Sequence, residues 1–218
     1  MGDPAGATLR VSEIFHSLQG ESTRVGLPTI FVRLTGCPLR CVWCDTPYAF
    51  SGGESMSIDS ILAHVADFAC ATVCVTGGEP LAQKACTALL GALCDAGYRV
   101  SLETSGALDI AGIDPRVARV MDLKAPGSGE ADKNRWENLA LLRANDELKF
   151  VLASRTDYEW AVATCRDHAL FERCPVLFSP VHGALDAAAL AQWMLDDRIP
   201  ARFQLQLHKL LWQDARGR

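Results

Sequence analysis

The sequence predicts an α/β fold built around a partial, incomplete TIM-like barrel of about six to seven parallel strands. Short apolar segments rich in β-branched residues alternate with helix-like segments almost from end to end, which is typical of parallel βαβ units. Polar motifs directly follow several of the strand-like segments, where the loops of a parallel barrel meet on one face. With 218 residues, the chain is shorter than a usual eight-stranded barrel, so we expect an incomplete one.

The expected elements follow one another in a regular order. Strands are predicted over 29–35, 72–76, 99–103, 117–123, 147–152, 175–178 and 202–207, with an extra strand over 9–18 at one edge. Helices are predicted over 57–68, 82–95, 135–144, 157–168 and 186–195. Ser57 is the expected N-cap of the first helix, Asp59 lies in its first turn, and Gly97 is expected to end the second helix.

The alternation runs without a linker, repeat or low-complexity segment, so we expect a single domain over 1–218. Residues 1–8 are expected to be disordered, and 209–218 to form a C-terminal tail that either folds over the site or packs at a subunit interface. The stretch 125–134, rich in glycine and charge, is the expected mobile loop.

Composition limits the classes of function. A net charge of −5 and a pI near 5.5 argue against a nucleic-acid partner, which usually requires a basic surface. No apolar run is long enough to span a bilayer, and the first residues lack a secretory pattern, so we expect a cytoplasmic protein. The chain has nine cysteines, and this odd number argues against a framework of disulfide bonds. Six of them lie in apolar or helical surroundings and are expected to be packed as small hydrophobic side chains.

The other three cysteines, Cys37, Cys41 and Cys44, lie within eight residues, directly after a predicted strand. A four-iron cluster is normally held by four thiolates, so three would leave one iron open to a small-molecule ligand. Zinc is an alternative if Asp45 or a distant histidine completes the set. A buried helical face is a further alternative, but the neighbouring glycine and proline favour a loop.

Five further motifs also follow predicted strands. They are Thr76-Gly-Gly-Glu-Pro80, Glu103-Thr-Ser-Gly106, Asp122-Leu-Lys124, Ser179-Pro-Val181 and Gln206-Leu-His-Lys209. Because the carboxyl ends of parallel strands meet at one mouth of a barrel, we expect these motifs to converge with the cysteine loop.

The CxxxCxxC loop, with Trp43 before its third cysteine, resembles that of the radical S-adenosylmethionine superfamily. The resemblance implies a radical SAM core with a [4Fe–4S] cluster on Cys37, Cys41 and Cys44, whose fourth iron binds S-adenosylmethionine. It also implies cofactor contacts from the glycine-rich turn and from two strand ends. The implied cofactor-binding residues are Gly77, Gly78, Glu79, Ser105 and Lys124. The radical chemistry would belong to the cofactor, with no catalytic residue beyond it.

Three further stretches narrow the resemblance. The segments 15–21 with 31–35, Cys44-Asp-Thr46 and 204–209 resemble the 7-carboxy-7-deazaguanine synthase family over about 9–212. That family uses Mg²⁺ and converts 6-carboxy-5,6,7,8-tetrahydropterin to 7-carboxy-7-deazaguanine with release of ammonia, in queuosine and deazapurine biosynthesis. The implied pterin-binding residues are Gln19, Glu21, Arg33 and His208, with Lys209 a weaker candidate, and Thr46 is the implied magnesium ligand. Ser22 departs from the family pattern, in which glycine often occupies that position.

The resemblance also implies partners. An electron donor such as flavodoxin or ferredoxin would reduce the cluster, and the chain would form a homodimer without a nucleic-acid or membrane partner. One alternative is a glycyl-radical-enzyme activating protein, which shares the cysteine loop and the glycine-rich turn but needs an open face for a large partner. Another is a zinc-stabilised module that binds nucleic acid, which the acidic net charge and the missing fourth ligand both disfavour.

Overall fold

A computed structural model of the chain describes residues 7–213 and 215–218. Most of the segment 1–8, for which disorder was expected, therefore lies outside the described residues, but Thr8 already belongs to the first strand. Within these described ranges, nine strands form one sheet in the order β3-β1-β2-β4-β5-β6-β7-β8-β9. Their bounds are β1 Thr8–Leu18, β2 Pro28–Leu34, β3 Glu54–Ser57, β4 Thr72–Gly77, β5 Arg99–Thr104, β6 Ala118–Asp122, β7 Glu147–Leu152, β8 Val176–Pro180 and β9 Arg202–Phe203.

The predicted partial barrel is confirmed. Seven strands, β2 and β4 to β9, run parallel, and the pairings within the described residues end at β3 on one side and β9 on the other. The extra amino-terminal strand is β1, which pairs antiparallel with β2. It lies one strand in from the edge, because the unpredicted β3 pairs with it from outside.

The described residues contain five α-helices, and the first four contribute side chains to the apolar core. The helices are α1 Ile58–Ala66, α2 Cys86–Asp95, α3 Arg155–Asp167, α4 Ala187–Asp196 and α5 Leu207–Trp212. The predicted caps are confirmed: the Ser57 side chain accepts the N–H of Ser60, and Gly97 follows α2 with a left-handed φ of 88°. No helix in the described ranges has the length and apolar character needed to cross a bilayer.

Two predicted elements were wrong in kind or length. The helix predicted over 135–144 is the 3₁₀ segment Trp136–Leu141, inside which the buried Asn138 donates to the carbonyls of Gly106 and Leu108. The last strand stops at Phe203 instead of 207, because the chain turns inward and the Leu207 N–H donates to Gly20 O.

Alternation along each parallel strand separates two environments. The outward positions are apolar and pack under the helices, as Leu148 and Phe150 do in β7. Several inward positions carry polar or charged side chains that face the interior of the barrel, as Lys149 does in the same strand, beside apolar ones such as Val120 and Val151. The apolar core thus surrounds a cavity lined by both polar and apolar side chains.

The hairpin loop between β1 and β2, residues 19–27, crosses this interior. The Glu147 carboxylate in β7 accepts the Thr23 N–H at 2.7 Å, the Thr23 hydroxyl at 2.6 Å and Arg24 Nη1 at 2.9 Å. Ser22 adopts a φ of 70°, the left-handed conformation that favours glycine. The loop thus takes the turn that the family pattern implies, although this chain carries serine there.

A buried ion pair supports the sheet below the cavity. Asp146 accepts the Arg119 N–H at 3.0 Å, pairs with the Arg119 guanidinium and accepts the Arg143 N–H at 2.7 Å. Burial would raise the pKa of Asp146, but the two arginines outweigh it and hold the pKa below its ordinary value.

Replacing Asp146 with asparagine is expected to lower the free energy of unfolding at pH 7 by about 3–5 kcal/mol, because a buried guanidinium loses its countercharge. Since the folded pKa is depressed, this stabilisation is present above pH 3.8, the ordinary value, and is lost as the pH falls through the folded pKa. Urea denaturation at several pH values checks this, with the exposed ion-pair variant Asp132→Asn as control. If both variants lost the same free energy of unfolding at pH 7, the buried ion pair of Asp146 would not be the source of this stability.

Candidate active site

The carboxyl ends of the parallel strands open into one cavity of about 480 Å³. It brings together residues from the cysteine loop, the β1–β2 hairpin loop, the strand ends and the C-terminal segment. The sequence-predicted residues that line it are Gln19, Glu21, Arg33, Cys37, Cys41, Cys44, Thr46, Gly77, Gly78, Ser105, Lys124, His208 and Lys209. The predicted convergence of the motifs on one mouth is therefore confirmed, with Glu79 as the exception.

The three cysteines form one wall of the cavity, and all are half-buried free thiols. Burial raises the pKa of the Cys37 and Cys41 thiols, against the opposing effect of the nearby Lys124 charge. Within the described ranges, no three histidine, cysteine or carboxylate side chains are arranged to hold a single metal ion. Structural zinc needs four ligands around one ion, whereas each thiolate of a cluster serves its own iron, so this donor set suits a cluster better.

The cysteine loop is fixed by the segment that was expected to be mobile. The Arg40 N–H donates to Glu130 Oε1 at 2.6 Å, and the Val42 N–H donates to Ser128 O at 3.0 Å. The side chain of Asn134 in turn bonds the backbone N–H and carbonyl of Lys124, both at 2.9 Å. The stretch 125–134 forms two 3₁₀ turns and serves as a brace for the loop.

The glycine-rich turn lies directly against the start of the cysteine loop. The Gly78 N–H donates to Leu34 O at 3.1 Å, and the Glu79 N–H donates to Gly36 O at 2.7 Å. A Cβ on Gly78 would lie 2.5 Å from Gly36 O and 2.8 Å from Cys37 Cβ. Only glycine permits this approach, so the two motifs form one unit.

Glu79 is the implied cofactor-binding residue that does not line the cavity. It is fully buried behind the turn and accepts the N–H of Leu81 at 3.0 Å and the N–H of Ser105 at 2.6 Å. The hydroxyls of Thr104 and Ser105 also donate to it. Glu79 therefore joins the turn after β4 to the end of β5, and places Ser105 at the cavity wall.

Lys124 and the hairpin residues are held by carboxylates. Lys124 Nζ lies 3.0 Å from Asp122 Oδ2, and the charges of Asp122 and Cys41 raise the pKa of Lys124 although burial would lower it. Gln19 Nε2 donates to Glu103 at 3.3 Å, while its carbonyl oxygen accepts the Glu21 N–H at 3.2 Å. The amide of Gln19 is thus engaged at both ends.

Arg33 projects from β2 between two aromatic rings. Its guanidinium carbon lies 5.7 Å from the centroid of Phe15 and 5.9 Å from that of Tyr48. Its Nε donates to Glu13 at 2.7 Å, and Tyr48 donates to the same oxygen at 2.8 Å. In the part of the chain that the structure describes, only Nε of this guanidinium has a hydrogen-bond partner, so the terminal nitrogens remain for an anionic ligand.

The C-terminal segment covers the cavity. The ring of His208 lies against Gly20, where a Cβ would overlap its Nδ1. Gln206 Nε2 is 3.4 Å from Asp45 Oδ2, and the Thr46 hydroxyl donates to Asp45 Oδ1 at 2.8 Å. Arg218 lines the cavity, and the Arg216 guanidinium stacks 4.0 Å from the Tyr48 centroid. Residues at both ends of the predicted tail, Lys209 and Arg218, therefore lie at the cavity.

Replacing Gly20 with alanine is expected to displace His208 and to lower the free energy of unfolding by about 1–3 kcal/mol, as overpacking does. We also expect a higher KM for the small-molecule substrate, because the His208 ring moves. Gly112→Ala is the matched control, since a Cβ there meets nothing within 4 Å. Unfolding curves and initial rates check both effects, and a variant that matches the control in both would show that the contact is unimportant.

The sequence did not predict three residues of the site, Glu13, Tyr48 and Lys149. Two others, Glu103 and Asp122, lie in motifs that were predicted to converge on the mouth, but no role was assigned to them. All of these except Tyr48 lie on strands at inward positions, where a polar side chain alternates with apolar neighbours. The alternation in Glu147-Leu-Lys149-Phe is the signal that could have placed Lys149 inside the barrel.

Comparison with known proteins agrees with this site. The family model described as the radical SAM superfamily matches residues 31–166. The chain therefore belongs to the radical SAM superfamily, whose cofactors are a [4Fe–4S] cluster and S-adenosylmethionine. It is 47% identical to the 7-carboxy-7-deazaguanine synthase of Chlorobaculum tepidum, over 97% of this chain and 98% of that protein. Within the superfamily, it belongs to the 7-carboxy-7-deazaguanine synthase family.

Other relatives extend the comparison. The synthase of Koribacter versatilis is 42% identical, over 94% of this chain and 97% of that protein. The crystal structure of QueE from Escherichia coli has a TM-score of 0.73 at 22% identity and covers 92% of this chain and 95% of that one. This structural similarity shows the shared fold.

Proposed function

We propose that the protein converts 6-carboxy-5,6,7,8-tetrahydropterin to 7-carboxy-7-deazaguanine with release of ammonia, as a carbon–nitrogen lyase of queuosine and deazapurine biosynthesis. One observation carries the proposal. A single cavity of about 480 Å³ has three thiols on one wall and also contains Arg33 and Glu21, an anion-binding and a hydrogen-bond-accepting group. Its size suits a small polar ring system beside a cofactor.

The side chains and backbone groups on one wall of the cavity suit the two cofactors. Cys37, Cys41 and Cys44 would hold the cluster, and the backbone of the glycine turn with Ser105 and Lys124 would bind S-adenosylmethionine. When bound, this pair supplies one-electron radical chemistry. The ammonium of Lys124 can bind a carboxylate, and Glu79 acts from behind the wall by fixing Ser105.

Charged and polar side chains in the rest of the cavity suit the pterin substrate. The terminal nitrogens of Arg33 can bind the pterin carboxylate in bidentate fashion. Glu21 can accept from the amino-substituted ring, with Gln19 holding the hairpin loop and His208 closing the cavity from the other side. Thr46 and its neighbour Asp45 offer oxygen ligands of the kind that Mg²⁺ prefers.

The partners are proposed on separate observations. Val42, between two of the cysteines, is 78% exposed, which supports approach of an electron donor such as flavodoxin or ferredoxin. The exposed Leu210 and Leu211 on α5 support a homodimer.

The nine free thiols of the chain suit the reducing environment of the cytoplasm, where we propose that the protein works. We also propose that the chain works as one domain.

Anaerobic reconstitution with iron and sulfide, then incubation with S-adenosylmethionine, reductant, Mg²⁺ and the carboxytetrahydropterin, tests the proposal. Mass spectrometry should find the deazaguanine product without stoichiometric loss of S-adenosylmethionine. Cleavage of S-adenosylmethionine without a product from the pterin would overturn the substrate and favour the activating-protein alternative. Metal analysis that finds bound zinc and no iron would overturn the proposal that the protein is an enzyme.

A further inference from the structure

Lys149 is a buried charge to which the proposed function gives no role. It projects inward from the middle of β7 and lines the cavity, and 11% of its side chain is exposed. A buried ammonium is retained only where carboxylates or other acceptors surround it. Its partners therefore show what it does.

Lys149 joins two carboxylates from different parts of the fold. Its Nζ lies 2.6 Å from Glu21 Oε2 on the hairpin loop and 3.7 Å from Asp122 Oδ2 at the end of β6. The charges of Glu21, Asp122 and Glu103 raise the pKa of Lys149, although burial would lower it. The ammonium thus stays charged and fixes the hairpin loop to two strands.

Both carboxylates leave one oxygen without a partner. Glu21 Oε1 and Asp122 Oδ1 are buried, and neither has a hydrogen-bond partner in the described part of the chain. Both residues line the cavity. Buried acceptors are rarely left unpaired, so these two oxygens are available to the donors of a molecule bound in the cavity.

We propose that Lys149 is a positioning residue for substrate specificity, which holds Glu21 and Asp122 so that their free oxygens accept N–H groups from an aminopyrimidinone ring. This inference rests on the proposed function and deepens it. The pterin amino group and the adjacent ring N–H are two neighbouring donors. A ring with a carbonyl in place of the amino group presents an acceptor there and is repelled by the carboxylates.

The two free oxygens also orient the ligand. A carboxylate substituent has no N–H to donate to the free oxygens of Glu21 and Asp122, whereas Arg33 offers its free nitrogens elsewhere in the cavity. The aminopyrimidinone edge therefore lies towards Lys149 and the carboxylate towards Arg33. Loss of the Lys149 charge would remove the ion pair that holds Glu21 and would leave Asp122 paired with Lys124 alone, so the selection would weaken.

Equilibrium binding to the reconstituted protein tests this proposal without turnover. The probes are 6-carboxypterin and its 2-oxo counterpart, 6-carboxylumazine, with binding followed by fluorescence under anaerobic conditions. The wild type is expected to prefer 6-carboxypterin by about 100-fold or more, because a site built for a donor rejects the analogue that lacks it. Lys149→Met should lower this preference to less than about 10-fold, while iron content and S-adenosylmethionine binding stay unchanged.

Controls separate the possible failures. Lys133→Met removes an exposed lysine and should keep the wild-type preference. Asp122→Asn retains the volume of the side chain and should also weaken the preference, which keeps the test decisive if Lys149→Met does not fold. An undiminished preference in both site variants would overturn the role of Lys149. A wild type that binds neither probe would instead overturn the proposed function, and this inference with it.

Discussion

Replacing Cys41 with alanine is expected to remove the cluster and to lower activity by more than about 10³-fold, equivalent to about 4 kcal/mol of barrier. Three thiols are present on the cavity wall, and each would hold one iron. Loss of one ligand leaves an iron without its anchor. Cys37→Ala and Cys44→Ala should behave alike, and iron and sulfide analysis with the visible absorption spectrum measures the loss.

Cys94→Ala is the matched control for this prediction. Cys94 is also a partly exposed free thiol, but it lies on α2 outside the cavity. We expect this variant to retain its iron and its activity. If Cys41→Ala kept a full complement of iron and sulfide, the three cysteines would not be the cluster ligands.

Replacing Glu79 with alanine is expected to destabilise the fold by about 3–5 kcal/mol, since several buried donors lose their acceptor at about 1–3 kcal/mol each. Those donors include the N–H groups of Leu81 and Ser105. S-adenosylmethionine binding should weaken as well, because Ser105 and the glycine turn lose their common anchor. Urea denaturation and equilibrium binding measure the two effects.

Two further variants test whether the effect of Glu79 depends on its hydrogen bonds. Glu79→Gln retains one acceptor oxygen and should lose about half as much stability. Glu137→Ala removes an exposed carboxylate and should change the stability by less than about 0.5 kcal/mol. A Glu79→Ala protein as stable as Glu137→Ala would show that the network is not needed.

Most of the fold could be predicted from the sequence because parallel strands and the helices between them are marked by short local patterns. Buried apolar side chains, as in Val73–Val75 and at Leu148 and Phe150 on either side of Lys149, form strands that alternate with helices whose caps are explicit, as at Ser57. The short β3 carries no such signal, because its strand character comes from pairing with β1. The final strand was overestimated for the same reason, since the contact of Leu207 with Gly20 is not local.

The site was only partly accessible. The cysteines and the glycine turn could be placed at the cavity because each follows a strand. The motif did not show on which side of the wall Glu79 lies, which depends on its bonds to the end of β5. Lys149 joins Glu21 across 128 positions of sequence, and such a pairing follows from the three-dimensional fold alone.

An anaerobic crystal structure of the reconstituted protein with S-adenosylmethionine and 6-carboxypterin tests the central claim, that one cavity holds cofactor and pterin together, most directly. We expect the cluster on Cys37, Cys41 and Cys44 and the pterin carboxylate on Arg33. We expect the amino-substituted edge of the pterin at Glu21. Density for the pterin outside this cavity, or a cluster held by other residues, would contradict the account.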